Sequence, residues 1–575
     1  MWDIVFSLAI FWGSILGLGM LGKLTNSLWH LRASLQTREP EGHARPHPIQ
    51  RLYAKAKGLL YGYLILPPLF GSFHRRLLFG DFIMPTRIEA LVIFAFWALN
   101  IMLCSVENQV IIKRAPDSAH VTTVASLIYR RTGKMAVANL PWLWIFGARN
   151  NIFQWATGWN FSTFNLFHRH IARVVLFEAI AHAGAETWSR INQGKYAQMF
   201  SATYVQVGLA TIIAMGLMVL LMSSIAFRRH YYEAFLAAHI LLAVVVLVGL
   251  YFHIPTSHPE YQPYLWSIVA IWAFERLLRI VKLVYCNIRL TFSKHVLQVS
   301  KCLASWDPAS DMVKVTITLA HDILTPKAGQ FYFLYRPVGW KGWESHPFTL
   351  GSYTRAGPKQ LVFWIRPLDG WTQHLREVCR RSPGLTTATR LFVEGPYGHP
   401  ARLCHFPRVL LIAGGSGISS VVPYVEEHVH RASVTPVTGE SAVHTRRMAL
   451  ATRQLDIVWC CPQRSLLYAV AEAELSPALS RNDITMRFFC SASSGHTSSE
   501  EGTISEVDVL VAEGRPDLKA IVSETAREHG ESEDCGELAI LVCGPASMAD
   551  EVRMAVVEAT RNGARIEYFE ETFGW

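Results

Sequence analysis

Four histidines stand inside two strongly apolar segments, His168 and His182 in one, His239 and His253 in the other, and both pairs are separated by fourteen residues. On an α-helix an i, i+14 pair lies within ~40° of one face and ~21 Å apart along the axis. Each helix therefore offers one imidazole near each surface of a membrane. Two such helices side by side form two bis-imidazole sites, stacked one above the other. Imidazole is a good iron ligand, and a haem between facing helices takes one from each side. An electron could then cross a ~30 Å hydrocarbon core in short hops. Ionisable side chains in membrane helices are costly and rare, so a matched spacing in two separate segments points to function. His170, beside His168, reads as an interhelical hydrogen-bonding group or a surface residue.

The elements that must position these rings follow from where the apolar residues fall. The chain has 575 residues, 51% of them hydrophobic, and that share averages two unlike parts. Residues 1 to about 285 hold nearly all the long apolar runs, whereas 287–575 have the pattern of a soluble α/β region. Seven spans are expected, near 4–22, 88–106, 133–149, 163–183, 202–224, 232–253 and 264–284, each about long enough to cross a bilayer. The apolar run Leu59 to Phe70 is split by Pro67-Pro68 and reads as a surface or re-entrant loop. The first span follows Met1-Trp2-Asp3, without a basic start or a small-residue cleavage site, and reads as a retained anchor.

Lys and Arg counts in the short loops set the orientation. The segment 23–87 carries ten of them, Arg228-Arg229 precede the sixth span, and Arg276, Arg279 and Lys282 close the seventh, whereas the turn 184–200 has only Arg190 and Lys195. The three basic clusters fall on one side, expected to be cytosolic, with the N-terminus outside. The basic loop Lys113, Arg114, Arg130, Arg131 and Lys134 departs from this rule and is a candidate for holding an anionic substrate or lipid. In this topology the two histidine helices run in the same sense. His168 then meets His239 at the inner level, and His182 meets His253 at the outer one.

The formal net charge of +10 is spread over the membrane-flanking loops. It reads as a rim facing lipid rather than a nucleic-acid footprint. The ten cysteines are scattered and form no CxxC, which argues against a disulfide framework or a zinc site.

In the soluble half, short β-rich runs such as Val313–Thr318 and Gly329–Leu334 suggest a small antiparallel barrel. His346-Pro347-Phe348-Thr349 and Gly370-Trp371-Thr372 follow. After about residue 405 a buried strand, Arg408–Ala413, feeds Gly414-Gly415-Ser416-Gly417 and then a helix. That is the phosphate-cradling device of dinucleotide sites, because backbone N–H groups and the helix dipole face the anion. A second buried strand ends in Cys543-Gly544-Pro545, where an α/β sheet places ligands at its carboxyl edge. Gly395-Pro396 ends the barrel part.

Together, the histidine pairs, His346-Pro347-Phe348-Thr349, Gly414-Gly415-Ser416-Gly417, Cys543-Gly544-Pro545 and the terminal Phe573-Gly574-Trp575 resemble the fungal ferric/cupric-chelate reductases. These belong to the flavocytochrome family that also includes the NADPH oxidases. Arg131-Thr132-Gly133, Gly147-Ala148-Arg149-Asn150-Asn151 and Phe167-His168-Arg169 add to the likeness, which runs from about residue 88 to the last residue. The resemblance implies FAD at His346, Pro347, Phe348 and Thr349, with Gly370 and Thr372 near the flavin pyrophosphate. It implies NADPH phosphate at Gly414, Gly415 and Gly417, and Gly395, Pro396, Cys543, Gly544 and Pro545 around the nicotinamide. Arg515 resembles the family's cation for an NADPH phosphate, and Trp575 its aromatic cover on the flavin ring. One departure is Trp459 running into Cys460-Cys461-Pro462-Gln463-Arg464, where an arginine usually follows sooner, which leaves NADPH and NADH both open. Another is the Ser- and Gly-rich stretch 491–503, read as a solvated insertion.

The fold class expected is an α-helical transmembrane bundle of about seven spans, a β-barrel FAD-binding domain and an α/β Rossmann-like NADPH-binding domain of the ferredoxin-NADP reductase type. The expected boundaries are an anchor and basic loop at 1–86, a haem-binding membrane domain at 87–286, the FAD barrel at 287–403 and the NADPH domain at 404–575. The expected activity is electron transfer from cytosolic NADPH through FAD and two b-type haems to an extracytoplasmic ferric or cupric chelate. No catalytic group is assigned beyond these cofactor sites. The expected setting is the plasma membrane, with the vacuolar membrane as the alternative and an iron permease or multicopper oxidase as a candidate partner. A superoxide-generating NADPH oxidase would share every internal residue, but the aromatic end and the lack of an EF-hand loop disfavour it. A haem-binding transporter or scaffold would place polar groups at the membrane midplane, not towards its two faces.

Overall fold

The computed structural model describes residues 2–36, 48–74, 77–78, 82–105, 120–220, 231–257, 259–291, 296–320, 323–336, 344–355, 357–368, 370–433, 452–492, 510–532 and 536–571. Two compact units emerge, one of residues 1–26 and 77–279, the other of 27–76 and 280–575.

Seven long helices carry the apolar sequence: α1 (Trp2–Gln36), α2 (Arg87–Ser105), α3 (His120–Gly147), α4 (Phe161–Asn192), α5 (Thr203–Leu220), α6 (Tyr232–Ser257) and α7 (Gln262–Asn287). Helices are what an apolar solvent demands, because each then satisfies its own backbone. Each expected span coincides with one of them to within a few residues at most ends, although α3, α4 and α1 run well beyond theirs. Among the described residues four stretches are long and apolar enough to cross a membrane by length and composition alone: Phe6–Trp29, Arg87–Ser105, Thr203–Leu220 and Tyr232–Ile254. The other three helices carry charge, Arg130, Arg131 and Lys134 on α3, Arg169, Arg173 and Glu178 on α4, and Glu275, Arg276 and Arg279 on α7.

That placement corrects the expectation of a basic loop at 113–134. Arg130, Arg131 and Lys134 are helix residues of α3, while Lys113 and Arg114, like Arg228 and Arg229, lie outside the described residues. The helix persists there because the residues from His120 to Lys134 include no proline or glycine before Gly133.

The core of the first unit is aromatic. The Trp12 ring lies 4.9 Å from Phe146, 5.3 Å from Phe96 and 5.4 Å from Phe167, centroid to centroid. Beside it, Asn139 donates from Nδ2 to Asn100 Oδ1 at 2.7 Å and to Glu178 Oε2 at 3.3 Å. This buried polar chain ties α2, α3 and α4 together, as interhelical hydrogen bonds do where lipid offers no alternative partner.

In the second unit the run Leu59–Phe70 is helical as far as Ile65 and irregular from 66 to 70. It continues a helix, Pro48–Leu60, through a π-turn, Tyr61–Ile65, onto the far end of the chain. Lys57 Nζ is clamped between Glu537 Oε2 (2.8 Å) and Glu567 Oε2 (2.7 Å), all three side chains about nine-tenths buried. Arg561 Nε donates to the Gly62 carbonyl at 2.9 Å, Arg553 donates to the Leu66 carbonyl at 3.2 Å, and Leu66 is buried in the apolar core there. Backbone carbonyls on either side of this turn are thus met by arginines of the C-terminal sequence.

The strands of residues 301–571 lie in two layers of different grammar. The first has strands β1 (Lys301–Asp307), β2 (Met312–Thr318), β3 (Phe331–Tyr335), β4 (Ser345–Thr349), β5 (Ser352–Tyr353), β6 (Gln360–Ile365), β7 (Thr386–Thr389) and β8 (Phe392–Tyr397), with helix α8 (Trp371–Arg381). They form an antiparallel five-stranded sheet, β7-β1-β2-β6-β5, and a three-stranded one, β8-β3-β4. Among the described residues these strands lie in two sheets rather than one closed ring; burial alternates along β2 and β6 of the larger sheet, and residues of both sheets share a core.

The second layer is a six-stranded parallel sheet of order β12-β11-β10-β9-β13-β14, built from β9 (Arg408–Gly414), β10 (Gln454–Cys461), β11 (Ile484–Cys490), β12 (Val511–Glu513), β13 (Leu538–Cys543) and β14 (Ile566–Glu571). Helices α9 (Ile418–Ser433), α10 (Leu518–Glu531) and α11 (Ala546–Arg561) alternate with the strands. β9 and β13 are buried on both faces, which is why they read as unbroken apolar runs. The strand order reverses between β9 and β13, and ligands of such sheets bind at the carboxyl ends of the strands flanking that reversal.

Candidate functional site

Three sites are built by these elements. In the first unit, α4 and α6 bring the histidines face to face. The His168 and His239 ring centroids are 6.3 Å apart, and those of His182 and His253 are also 6.3 Å apart. The pairing is the one the topology predicts. Three of the four rings are held from behind by a backbone carbonyl: His168 Nδ1 lies 2.9 Å from Leu143 O, His182 Nδ1 2.7 Å from Tyr129 O and His253 Nδ1 2.8 Å from Tyr204 O. A carbonyl can only accept, so each Nδ1 carries its proton and each Nε2 keeps its lone pair. His170 instead accepts from Trp97 Nε1 at 3.3 Å, an interhelical bond from α2 to α4.

This donor set fits a haem at each level. Two nitrogen–metal bonds of ~2 Å, plus the depth of half a ring on each side, fill about the spacing seen in both pairs. The ~21 Å axial rise between levels leaves room for one macrocycle above the other.

The second site lies along β4 and the start of α8. The Trp371 ring packs 5.9 Å from His346 and 5.7 Å, edge-on, from Phe348. Gly370 precedes it with φ +65°, a left-handed conformation that glycine adopts freely, and Thr372 Oγ1 accepts from the Leu368 N–H at 3.3 Å. His346, Pro347, Phe348 and Thr349 are thus brought to Gly370 and Thr372 through Trp371, which sequence reasoning passed over although it stands between two of the chosen residues. The strand and turn suit an isoalloxazine and its pyrophosphate, since both offer backbone and small polar groups beside aromatic faces. Gly395 stands elsewhere, on β8, against the Tyr332 ring, and a side chain there would collide with it.

The third site is the reversal point of the parallel sheet. A Cβ on Gly414 would stand 2.6 Å from Pro545 and 2.8 Å from Met548 Sδ, and one on Gly417 would strike the Cys543 carbonyl. Gly415 has φ +56°. Gly414, Gly415 and Gly417 therefore meet Cys543, Gly544 and Pro545 in one cradle, with the N-terminus of α9 opening from it. This suits a phosphate.

Behind the cradle lies a polar cluster that sequence reasoning missed. Tyr424 donates from its hydroxyl to Glu571 Oε1 at 3.4 Å and accepts from the Ala401 N–H at 3.1 Å. Burial raises the Glu571 carboxyl to about 7, against Tyr424 and Ser420 hydrogen bonds that pull it down. Burial likewise pushes the Cys543 thiol far up, so it is a neutral group here. Arg515 is not at the cradle; it is exposed just past β12, separated from β9 by β10 and β11. Arg464 is paired with Glu513. Trp575 lies outside the described residues, as does most of the 491–503 stretch.

Three family models match in tandem. Residues 132–250 match the ferric reductase like transmembrane component, 292–401 an FAD-binding domain and 406–557 the ferric reductase NAD binding domain. The chain belongs to the ferric reductase family. Among its relatives, ferric reductase transmembrane component 4 of Saccharomyces cerevisiae is 28% identical over 92% of this chain and 74% of that protein. Ferric/cupric reductase transmembrane component 2 of the same yeast is 26% identical over 91% of this chain and 72% of its own length. A probable ferric reductase transmembrane component of Candida albicans is 27% identical over 86% of this reductase and 72% of its own length.

Proposed function

We propose that this chain is an NADPH-dependent transmembrane reductase of ferric or cupric chelates, in which electrons pass through FAD and two b-type haems across the bilayer. The observation that carries the reading is the two facing imidazole pairs at equal ring separation, with His168, His182 and His239 inside the stretch matched to the ferric reductase membrane component and His253 just past its end. Bound FAD converts a two-electron donor into single-electron steps, and haem iron carries one electron at a time.

The chain's own residues supply position. Gly414, Gly415 and Gly417 let backbone N–H groups approach the NADPH phosphates, with Cys543, Gly544 and Pro545 bounding the nicotinamide end. His346, Pro347, Phe348 and Thr349, braced by Trp371, hold the flavin, with Gly370 and Thr372 beside its pyrophosphate. Gly395 and Pro396 flank the nicotinamide end, Arg515 offers a charge to an NADPH phosphate, and Trp575 covers the flavin ring. His168 with His239, and His182 with His253, would hold a haem at each level, and with an imidazole on each side the iron would pass electrons to an external chelate rather than bind oxygen. The acceptor side is extracytoplasmic, at the plasma membrane, where an iron permease or multicopper oxidase would take up the product.

The test is NADPH-driven reduction followed by reduced-minus-oxidised spectra. His168→Ala is expected to block electron entry into the membrane unit, whereas His182→Ala leaves one haem reducible. Both variants should lose chelate reduction. Absence of b-type bands in the unaltered protein would refute the haem path, and oxygen as the preferred acceptor would favour an oxidase.

A further inference from the structure

The three carbonyls behind the histidines share a pattern. Leu143 stands four residues before Gly147, Tyr129 four before Gly133, and Tyr204 four before Gly208. A Cβ on Gly147 would come within 3.0 Å of His168 Nδ1, one on Gly133 within 2.7 Å of His182 Nδ1, and one on Gly208 within 2.6 Å of His253 Nδ1. Gly133 and Gly147 are themselves fourteen residues apart on α3, the interval of the histidines they serve on α4.

The geometry explains why glycine is required. In a helix the carbonyl at i−4 bonds the N–H at i with one lone pair and keeps a second. A side chain at i would stand between that second lone pair and an approaching ring. With glycine there, the imidazole settles onto the helix surface and donates its Nδ1–H to the carbonyl.

His239 has no such step. Among the described residues its buried Nδ1 has no hydrogen-bond partner, and its ring stacks at 5.7 Å and 28° on Phe235, one turn earlier on α6. Among the four rings, three are oriented and polarised by backbone and one by stacking alone.

Resting on the haem reading above, we propose that Gly133, Gly147 and Gly208 are positioning residues for the axial ligands, and that the missing step at His239 makes the two haem sites electronically unequal. A hydrogen bond to Nδ1 raises the basicity of Nε2, and a more basic ligand favours ferric iron. The outer pair, His182 and His253, has two polarised imidazoles. The inner pair, His168 and His239, has one.

The test is a redox titration of the b-type bands in the full-length protein, with the two midpoints assigned from His168→Ala and His182→Ala. Gly147→Ala is expected to raise the inner midpoint and leave the outer one in place; Gly133→Ala and Gly208→Ala are expected to do the reverse. A glycine variant that keeps both bands and moves neither midpoint, or moves the wrong one, overturns the proposal. Where a variant loses its haem, pulsed EPR of the remote imidazole nitrogens in the unaltered protein decides. Two like Nδ1 signals from the outer pair and two unlike from the inner support it, and four alike overturn it. Unaltered protein without b-type bands would refute the haem reading itself, a result distinct from bands whose midpoints ignore the glycines.

Discussion

The membrane unit and the nucleotide-binding sheet make their candidate sites by opposite means. In the membrane unit the ligating groups are side chains, and their placement is a single interval of fourteen residues, used by histidines on α4 and α6 and by glycines on α3. Lipid permits only regular helices there, so distance along the sequence converts directly into depth. In the sheet, the cradle is mostly backbone, and its two halves, Gly414–Gly417 and Cys543–Pro545, are far apart in sequence. Topology joins them at the reversal between β9 and β13. One site depends on which side chains are present, the other on which side chains are not.

Gly417→Val would break that comparison most severely. The new Cβ would press on the Cys543 carbonyl and force the turn open. NADPH-driven reduction is expected to fall by about 100-fold or more, the scale of an ångström's misplacement, while dithionite still reduces a normal haem spectrum. Loss of the haem bands as well would mean that the two regions cannot be perturbed separately.

The comparison sharpens at Lys57, since the second unit is not made of C-terminal sequence alone. Lys57→Met would leave Glu537 and Glu567 buried together without their cation. Breaking a buried ion pair from one side costs about 3–5 kcal/mol, read as a lower temperature of flavin release. Adding Glu537→Gln should recover part of that loss, and a melting temperature untouched by Lys57→Met would show that the clamp contributes nothing.

What could be read from the sequence divides along the same line. The facing of His168 with His239 and of His182 with His253 follows from helical periodicity, which the bilayer enforces. The two buried strands and their glycine turns are legible because a strand covered on both faces has no polar positions. The docking of Leu59–Phe70 was not legible: its partners, Arg553 and Arg561, lie nearly five hundred residues later, and an apolar run beside a membrane span looks like membrane-facing sequence. The glycines under the histidines were visible as residues but not as supports, since glycine serves turns and close contacts alike. The short strands expected to form a barrel are legible as strands, and among the described residues they lie in two sheets over one core.

Glu571 is the smallest effect and the finest contrast, a part-buried carboxyl at the last position of β14 that takes hydrogen bonds from Tyr424 and Ser420. Its folded value of about 7 stands above the ordinary 4.5. Below pH 4.5 both folded and unfolded chains hold the proton, and Glu571 has no effect on stability. Between 4.5 and 7 the unfolded chain releases it first, so stability falls as pH rises; above 7 the loss is complete, at about 3 kcal/mol. Glu571→Gln keeps the Tyr424 hydrogen bond in kind and has no proton to lose. Thermal melts at pH 5, 6, 7 and 8 should therefore find the variant and the unaltered protein closest at pH 5 and progressively separated upward, with the variant more stable. Parallel curves across that range would place the carboxyl in water and remove the polar cluster behind the nucleotide cradle from the site.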